Sequence, residues 1–350
     1  MWAGLISGVA SVRPLEWAGW ESAPVQLAAQ VRERIPGTGW RNLRMARLAL
    51  QEALAGGRPA GEGGLSAAVG WPGPEEGKGG DPLEILAEEF SLAGPREESL
   101  AACAASTHAI GEAFRLVREG EADWMVAGGA DGRAHPGGLL GYDRLGALAR
   151  GFRDRPAEAC RPFGRQRTGF VVGEGAAFLV LEKKSRAEKR GAPIYAEISG
   201  AAEGCDAFRI TDPGEDARQA AFCIESCLED AGVPGGQVEA VVCHGTGTPA
   251  NDRAEAGALR QVFGESRPWV NAPKSLIGHL SMACGAVESA IAVLSLGEGF
   301  FPSTVTEGWM EDEGAPVRMA RAPGIRGVRS VLKPSFGFGG QNACLLFQRG

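Results

Sequence analysis

One cysteine stands where a folded chain could use its thiol. Cys103 lies in the segment 99–120, SLAACAASTHAIGEAFRLVREG, in which small residues lead into an amphipathic helix with Ile110, Ala113 and Val117 at helical spacing. Unpaired N–H groups and the positive end of the helix dipole would stabilise a thiolate there and could hold an oxyanion. Most free cysteines are small buried apolar residues, so a nucleophile also requires a histidine elsewhere.

Two of the four histidines lie in motifs that could supply it. His244 follows a predicted buried strand in VVCHGTGTPANDRAEA, where catalytic side chains of α/β proteins commonly emerge. His279 lies in NAPKSLIGHLSMACGAVE, five residues after Lys274. His108 is interpreted as a structural histidine inside the helix that follows the cysteine, and His135 as an incidental loop residue.

Composition limits the classes of function. A net charge of -7, with no basic stripe and no repeat, argues against a nucleic-acid or anionic-membrane partner. Eight scattered cysteines without a CxxC pair point to a reducing compartment, so we expect a cytoplasmic protein. No stretch approaches the length of a membrane span. The apolar N-terminus lacks the features of a signal peptide, and residues 5–12 are interpreted as a buried strand.

Strands and helices alternate along the chain in two similar halves. Helices are predicted at 41–55, 82–90, 216–231 and 280–296, with a further helix that starts at Cys103 within the segment 99–120. Strands are predicted at 65–70, 124–131, 169–184, 194–200, 238–245, 328–336 and 342–348. Each half presents a reactive residue type at the start of a long apolar helix, Cys103 in the first and His279 in the second. This alternation predicts an α/β architecture with parallel or mixed sheets buried by helices. We expect one half to span residues 1–190 and the other 191–350.

Five motifs occur in an order that is specific to one family. They are CAASTHAIG, RPFGRQRTGFVVGEGAA, CHGTGTPANDRAE, KSLIGHLSMACGAVE and SFGFGGQNA. Together they resemble the β-ketoacyl-[acyl carrier protein] synthases of the type I/II group, from about residue 98 to the C-terminus. The resemblance implies a thiolase-like fold of two pseudo-duplicated halves, with mixed sheets and helices layered between and outside them.

The resemblance also assigns roles in the site. It implies that Cys103 is the nucleophile and that His244 and His279 are the two catalytic histidines. The active-site lysine falls on Lys274, and the acidic residue that pairs with it falls on Glu255. Thiolases and the type III initiating synthases carry other sets, and the histidine in GHLSMACG argues against both.

Further positions follow from the same resemblance. The backbone N–H groups of Cys103 and Phe338 would form the oxyanion hole, and Phe338 would act as a gate. Thr211 and Pro213 match a second mobile loop of the family, although Asp212 replaces a small residue there. The substrate-binding residues implied are Phe170, Thr211, Pro213, Thr246, Thr248 and Phe338.

Condensation chemistry fits these residue types. A Claisen condensation needs a thiol that accepts an acyl group and then leaves from it, and donors for the enolate formed when malonyl loses carbon dioxide. Two neutral imidazoles could donate to that enolate, and Lys274 beside His279 would keep the ring neutral by repulsion. Neither a metal nor an organic cofactor is required.

The implied partner is an acyl carrier protein, and alternatives remain for function and assembly. We expect a homodimer, with a heterodimer with a ketosynthase homologue as the other possibility. The chain could also be a non-condensing subunit like a chain-length factor, or a malonyl decarboxylase or acyltransferase. Segments 17–39 and 71–95 look shorter than in the family, and this affects the surfaces that dock the carrier protein and line the acyl tunnel.

Overall fold

Two mixed β-sheets organise the molecule. The structure is a computed structural model and describes residues 2–15, 23–32, 35–72, 79–306, 318–321 and 324–350. The strands of one sheet fall within residues 13–182 and those of the other within 197–348. They lie on either side of the expected boundary at residue 190, which itself stays a prediction.

The first sheet has six strands in the order β1-β2-β6-β5-β3-β4. Its strands are β1 (Arg13–Pro14), β2 (Leu27–Ala29), β3 (Gly63–Val69), β4 (Arg96–Glu98), β5 (Trp124–Gly132) and β6 (Val172–Glu182). Strands β3 and β5 are parallel, whereas β5 and β6 are antiparallel, so the sheet is mixed. All residues of β3 and β5 are buried, because helices cover both faces of the sheet.

The second sheet also has six strands, in the order β11-β9-β8-β13-β14-β7. Strands β7 (Glu197–Cys205), β8 (Ala240–Val242), β9 (Trp269–Asn271), β10 (Phe300–Phe301), β11 (Arg318–Met319), β12 (Ile325–Arg326), β13 (Ser330–Gly337) and β14 (Gln341–Gln348) follow in the chain, and β10 pairs with β12 outside this sheet. Strand β13 is parallel to β8 and antiparallel to β14. This sheet too is mixed, as predicted.

Helices lie between the two sheets and on their outer faces. They are α1 (Trp2–Ser7), α2 (Arg41–Leu54), α3 (Pro82–Glu89), α4 (Ala105–Glu119), α5 (Pro136–Arg144), α6 (Lys184–Arg190), α7 (Arg218–Ala231), α8 (Pro249–Phe263), α9 (Lys274–Ile277) and α10 (Cys284–Glu298). Helices α4 and α10 contact each other and strands of both sheets, whereas α2 packs on the first sheet and α7 on the second. The predicted layering of helices between and outside mixed sheets is confirmed.

Small residues allow the central helices to approach the sheets closely. Ile110, Leu116 and Ile291 of α4 and α10 share one buried cluster with Met125 and Leu345 of the two sheets. A Cβ atom at position 129 of β5 would lie 2.9 Å from the Cβ of a serine in α4, nearer than carbon atoms pack. The glycine-rich β5 therefore brings α4, and the turn before it, against the sheet.

The N-terminal segment differs from the prediction. Residues 2–7 form helix α1 instead of part of a strand over 5–12, and the first strand is the short β1 that follows. Leu5 is buried while Ile6 and Val9 are 45% and 59% exposed, so only one side of the segment packs against the core. An apolar run does not itself distinguish a buried strand from a helix with one packed side.

Helix α10 with its preceding turn is apolar and central. The expectation that no stretch approaches the length of a membrane span is wrong, because the segment Ser281–Glu298 is long and apolar enough by length and composition. However, 72% of this segment is buried within the fold. A core helix passes the same test of length and composition. Of the front segments that look shortened, residues 17–22, 33–34 and 73–78 lie outside the described residues.

Candidate active site

The predicted nucleophile lies in a tight turn before α4. Residues Ala102–Ala104 form a turn of 3₁₀ helix, in which Ala102 has a φ of +48°, and Cys103 is 6% exposed. A left-handed φ is uncommon for a residue with a side chain and costs on the order of 1–3 kcal/mol. The tertiary packing therefore holds Cys103 in one orientation beneath the end of β13.

Glycine at position 337 allows that close approach. A Cβ atom at Gly337 would lie 2.8 Å from the carbonyl oxygen of Ala101 and 3.1 Å from the backbone nitrogen of Cys103. The backbone N–H of the next residue, Phe338, lies near the thiol of Cys103 and opposes the rise in its pKa. The N–H groups of Cys103 and Phe338 thus converge, which supports the predicted oxyanion hole.

The Cys103 thiol is protonated at neutral pH, so the expectation of a stabilised thiolate is wrong. Burial raises the pKa of Cys103 to about 11, although Lys274, Arg133 and the Phe338 N–H each oppose that rise. The start of a helix lowers a thiol pKa where solvent helps to support the charge. Here the desolvation of the anion outweighs those donors and cations.

The two predicted histidines lie together as neutral rings. Their centroids are 5.7 Å apart and their planes are perpendicular. The Nδ1 of His279 accepts from the backbone N–H of Ser281 at 2.9 Å, and the Nδ1 of His244 lies 3.3 Å from Nζ of Lys274, a donor. Acceptance at Nδ1 places the proton of each ring on Nε2. Burial, followed by the charge of Lys274, holds both pKa values well below their usual range.

Lys274 pairs with Glu288, so the predicted pairing with Glu255 is wrong. The Nζ of Lys274 lies 2.5 Å from Oε1 of Glu288, and the second carboxylate oxygen lies 3.0 Å from Nζ of Lys333. The lysine also donates to the backbone carbonyl of His244, so its direct hydrogen bonds are to that histidine and to Glu288. Burial alone would lower the pKa of Lys274, but the carboxylate outweighs it and the lysine stays charged.

Glu255 instead holds the backbone of the His244 turn. Its two carboxylate oxygens accept the N–H groups of His244 and Gly245, both at 2.7 Å. Burial raises the pKa of Glu255 to about 7 against those two donors. Asp252, on the same helix α8, accepts the next two N–H groups, from Thr246 and Gly247, at 3.1 Å. Both carboxylates fix the loop that carries His244.

Phe170 and the predicted threonines lie near the histidines. The ring of Phe170 lies 4.5 Å from that of His279, centroid to centroid. The hydroxyls of Thr246 and Thr248 are hydrogen-bonded to each other at 2.8 Å in the turn after His244. Their places beside the reactive groups support the proposed contacts with substrate.

The second predicted loop reaches the site through the backbone. Thr211 is exposed and Pro213 half-buried. The carbonyl of Ile210 accepts the N–H of Gly339 at 2.6 Å, directly after the half-buried Phe338. This hydrogen bond couples the loop of Thr211 and Pro213 to the loop of Phe338. The roles of these three residues stay proposals.

The two halves repeat the nucleophile turn with a different residue. Ser281 has a φ of +50° and begins the 3₁₀ turn before α10, as Ala102 does before α4. The residue that matches Cys103 in this geometry is Met282, whereas His279 precedes the turn. The sequence of the two halves indicated that Cys103 corresponds to His279, because both are reactive residue types before a long apolar helix. The backbone angles show that Cys103 corresponds to Met282 instead.

Sequence reasoning missed Glu288 and Lys333, and only one of them had a signal. Glu288 is a charged residue in the apolar run CGAVESAIAVL of α10, and a lone charge on such a helix indicates a buried partner. Lys333 is in β13 and fully buried, where its Nζ also donates to Ser335 at 2.8 Å. Nothing in its sequence neighbourhood distinguishes it from a surface lysine.

Replacement of Glu288 by glutamine is expected to destabilise the fold strongly. Lys274 and Lys333 would each lose their counterion in a site without solvent, and an unpaired buried charge costs about 3–5 kcal/mol. Urea unfolding of Glu288→Gln measures the loss. The matched control is Glu119→Gln, which breaks an exposed pair with Arg115 and should cost no more than about 0.5 kcal/mol. Equal midpoints for the two variants would show that the buried lysines do not need this carboxylate.

The fold and the Cys-His-His constellation define a class of condensing enzymes, and comparison with known proteins agrees. Family models of the β-ketoacyl synthase N-terminal and C-terminal domains match residues 85–187 and 195–306. The 3-oxoacyl-[acyl-carrier-protein] synthase 2 of Coxiella burnetii is 32% identical over 398 aligned positions, which cover 100% of this chain and 94% of the relative. The chain therefore belongs to the β-ketoacyl synthase family, as its motifs predicted.

Two further comparisons set the limits of the likeness. The 3-oxoacyl-[acyl-carrier-protein] synthase 2 of Vibrio cholerae is 39% identical over 262 residues, 74% of this chain and 63% of the relative. The chain spans 62–63% of the first curated relatives it matches. A solved complex of a type II polyketide synthase acyl-carrier protein with its ketosynthase has a TM-score of 0.90 at 26% identity, covering 100% of this chain and 94% of that one. The predicted thiolase-like fold is confirmed.

Proposed function

We propose that the chain is a β-ketoacyl-[acyl carrier protein] synthase that condenses malonyl units with an acyl group held on Cys103. The observation that carries this proposal is the arrangement of two neutral histidines, each with its proton on Nε2, together with a thiol under the Phe338 N–H. Donors that keep their protons are what an enolate needs. If either ring were a charged imidazolium, it would transfer its proton to the enolate.

The first half-reaction moves the acyl group to Cys103. The sulfur attacks the thioester carbonyl, the bond from that carbon to the carrier's sulfur breaks, and the thiol proton leaves with the carrier's sulfur. The N–H groups of Cys103 and Phe338 would hold the negative oxygen of the tetrahedral intermediate. Because the pKa of Cys103 is about 11, attack requires proton transfer away from the thiol as the carbon–sulfur bond forms.

The second half-reaction forms the carbon–carbon bond. The malonyl thioester loses carbon dioxide, and its electron pair becomes an enolate whose oxygen would accept from Nε2 of His244 and His279. The enolate carbon attacks the acyl carbon on Cys103, the carbon–sulfur bond breaks, and the thiolate takes up one proton. Lys274 keeps the His244 ring neutral through its charge and is a positioning residue.

An acyl carrier protein would deliver both substrates, and a homodimer is the proposed assembly. In the solved complex that resembles this chain, an acyl-carrier protein is seated on its ketosynthase. The edge strand β4 has all three residues exposed, and Leu100, just after it, is 65% exposed. An unpaired edge beside an apolar side chain is a surface that proteins usually cover, and a second copy of the chain would do so.

The proposal is tested with the protein expressed alone and given acyl- and malonyl-loaded carrier protein. We expect native mass spectrometry to show a dimer, and product analysis to show a β-ketoacyl thioester with release of carbon dioxide. Release of carbon dioxide without a new carbon–carbon bond would assign a decarboxylase instead. Condensation only after co-expression with a ketosynthase homologue would assign a subunit of a heterodimer.

A further inference from the structure

A charged side chain that the condensation does not use lies next to the nucleophile. Arg133 follows the end of β5, and its Nη2 lies 3.9 Å from the sulfur of Met282. Met282 packs in one small cluster with Ala105 and Ala101, which flank Cys103 on both sides in the chain. The guanidinium is therefore separated from the nucleophile turn by one side chain.

The electrostatic effects of Arg133 agree with that placement. Its positive charge opposes the rise in the pKa of Cys103 and lowers the pKa of His279 further below its usual range, after burial and Lys274. A cation affects two groups in this way only when it lies within about one Debye length of both, roughly 10 Å, and little solvent separates them. Arg133 is thus near the reaction site, on the far side of Met282.

Two hydroxyl groups, of Tyr142 and Ser281, also lie near the reaction site. Oη of Tyr142 lies 2.8 Å from Oγ of Ser281, and Ser281 is the residue whose N–H orients His279. The Tyr142 ring meets Phe170 edge-on at 5.2 Å, and Phe170 lies against His279. Burial raises the pKa of Tyr142, so its hydroxyl keeps its proton and can donate.

The carboxylate beside Arg133 leaves part of the guanidinium free. Asp131 accepts Nε of Arg133 at 3.1 Å, and it also accepts the N–H groups of Gly132 at 2.9 Å and Met282 at 3.3 Å and the amide of Asn42 at 3.3 Å. Four donors occupy this carboxylate. Within the described part of the chain, Nη1 and Nη2 of Arg133 have no oxygen acceptor.

This free edge discriminates between kinds of acyl chain. The Arg133 side chain is 42% exposed, so its remaining donors are open to solvent. An apolar acyl chain would displace that water and leave a guanidinium without acceptors, which is unfavourable. A carboxylate would pair with the planar fork through two parallel hydrogen bonds.

We propose that Arg133, with the hydroxyls of Tyr142 and Ser281, selects acyl groups that carry a carboxylate at their far end. The substrate loaded on Cys103 is then a monothioester of a dicarboxylic acid. This inference rests on the proposed function, since it names the acyl group that the same site accepts. Arg133 is a specificity residue and takes no part in breaking or forming bonds.

The test compares acyl groups of matched length. Succinyl and glutaryl thioesters of coenzyme A are offered beside butyryl and valeryl thioesters, and intact mass spectrometry follows acylation of Cys103 with time. We expect succinyl and glutaryl groups to load about 10- to 100-fold faster than butyryl and valeryl groups. This ratio corresponds to the free energy of one or two charge-assisted hydrogen bonds. Arg133→Gln keeps a donor for Asp131 and should remove that preference. Tyr142→Phe, which deletes one hydroxyl only, should reduce it by a smaller factor.

Two controls make the result decisive. Arg115→Gln removes an arginine from the outer side of α4 and should leave the preference unchanged. Carbon dioxide release from a malonyl thioester is measured in both variants, and Arg115→Gln should release it as fast as the unaltered protein does. Faster loading of butyryl and valeryl groups, with normal condensation, overturns the inference and leaves the proposed function standing. A fall in carbon dioxide release in Arg133→Gln without a change in acyl preference also overturns it, because Arg133 would then bind the malonyl carboxylate. Failure of every acyl group to load overturns both.

Discussion

Cys103→Ala is expected to abolish acyl loading and to lower condensation by about 10⁴-fold or more, the scale seen when a nucleophile is removed from an enzyme. The alanine has no sulfur to carry the acyl group. The histidines and the Phe338 N–H keep their positions, so carbon dioxide release from malonyl-loaded carrier protein should persist. Acylation is measured by intact mass spectrometry, and carbon dioxide release is measured separately with a labelled malonyl group.

The variant should fold, because the change is small for small. Removal of one buried sulfur leaves a cavity of about one atom, which costs about 1 kcal/mol. Cys243→Ala is the matched control, since Cys243 is also a buried cysteine and adjoins His244 in the chain. It should lose about as much stability and keep its acyl label. An acyl label that survives on Cys103→Ala would show that another residue is the nucleophile.

His244→Ala and His279→Ala are each expected to lower condensation by about 10²–10³-fold, the value of one oxyanion-type donor. Transfer of the acyl group to Cys103 should be affected much less, because the backbone N–H groups hold the oxyanion of that step. Single-turnover measurements of the two half-reactions separate the effects. Equal damage to both would assign the histidines to activation of the thiol instead.

The pH dependence of condensation gives a second test of whether His244 and His279 act as neutral donors. Both histidines have pKa values lowered well below their usual range, so they stay neutral as the pH falls from 8 to 6. Condensation should therefore show no loss centred near the ordinary histidine pKa of about 6.5. His108→Ala is the control variant, because His108 lies 3.1 Å from Glu203 and away from the two reactive rings. A sigmoidal loss centred near pH 6.5 that disappears in His279→Ala would contradict the neutral assignment.

Much of the site follows from local sequence. Cys103, His244, His279 and Lys274 each lie in a motif that resembles those of the family, and this resemblance marks them as candidates. Strands and amphipathic helices around them have a periodicity that a short window displays. The family and the layered α/β architecture follow from the order of these motifs, because that order needs no knowledge of distant contacts.

Partners and protonation states depend on packing instead. The counterion of Lys274 is Glu288 and not Glu255, because α10 passes between the sheets and brings one carboxylate to two buried lysines. The thiol of Cys103 is neutral because its surroundings exclude water, and no sequence pattern reports that exclusion. That residues 2–7 form helix α1 was likewise not visible in the sequence, because Leu5 and Trp2 meet the core while Ile6 is exposed.

Arg133 shows the same division most clearly. In the sequence it is an arginine in a loop between a glycine and an alanine, with nothing to mark it. The tertiary structure places its guanidinium beside Met282 and against the nucleophile turn. Motifs along the chain determined which reaction chemistry the protein carries, because reactive groups must have defined types and backbone settings. The surroundings of that chemistry were decided only by folding, because charge, burial and pairing arise between residues far apart in sequence.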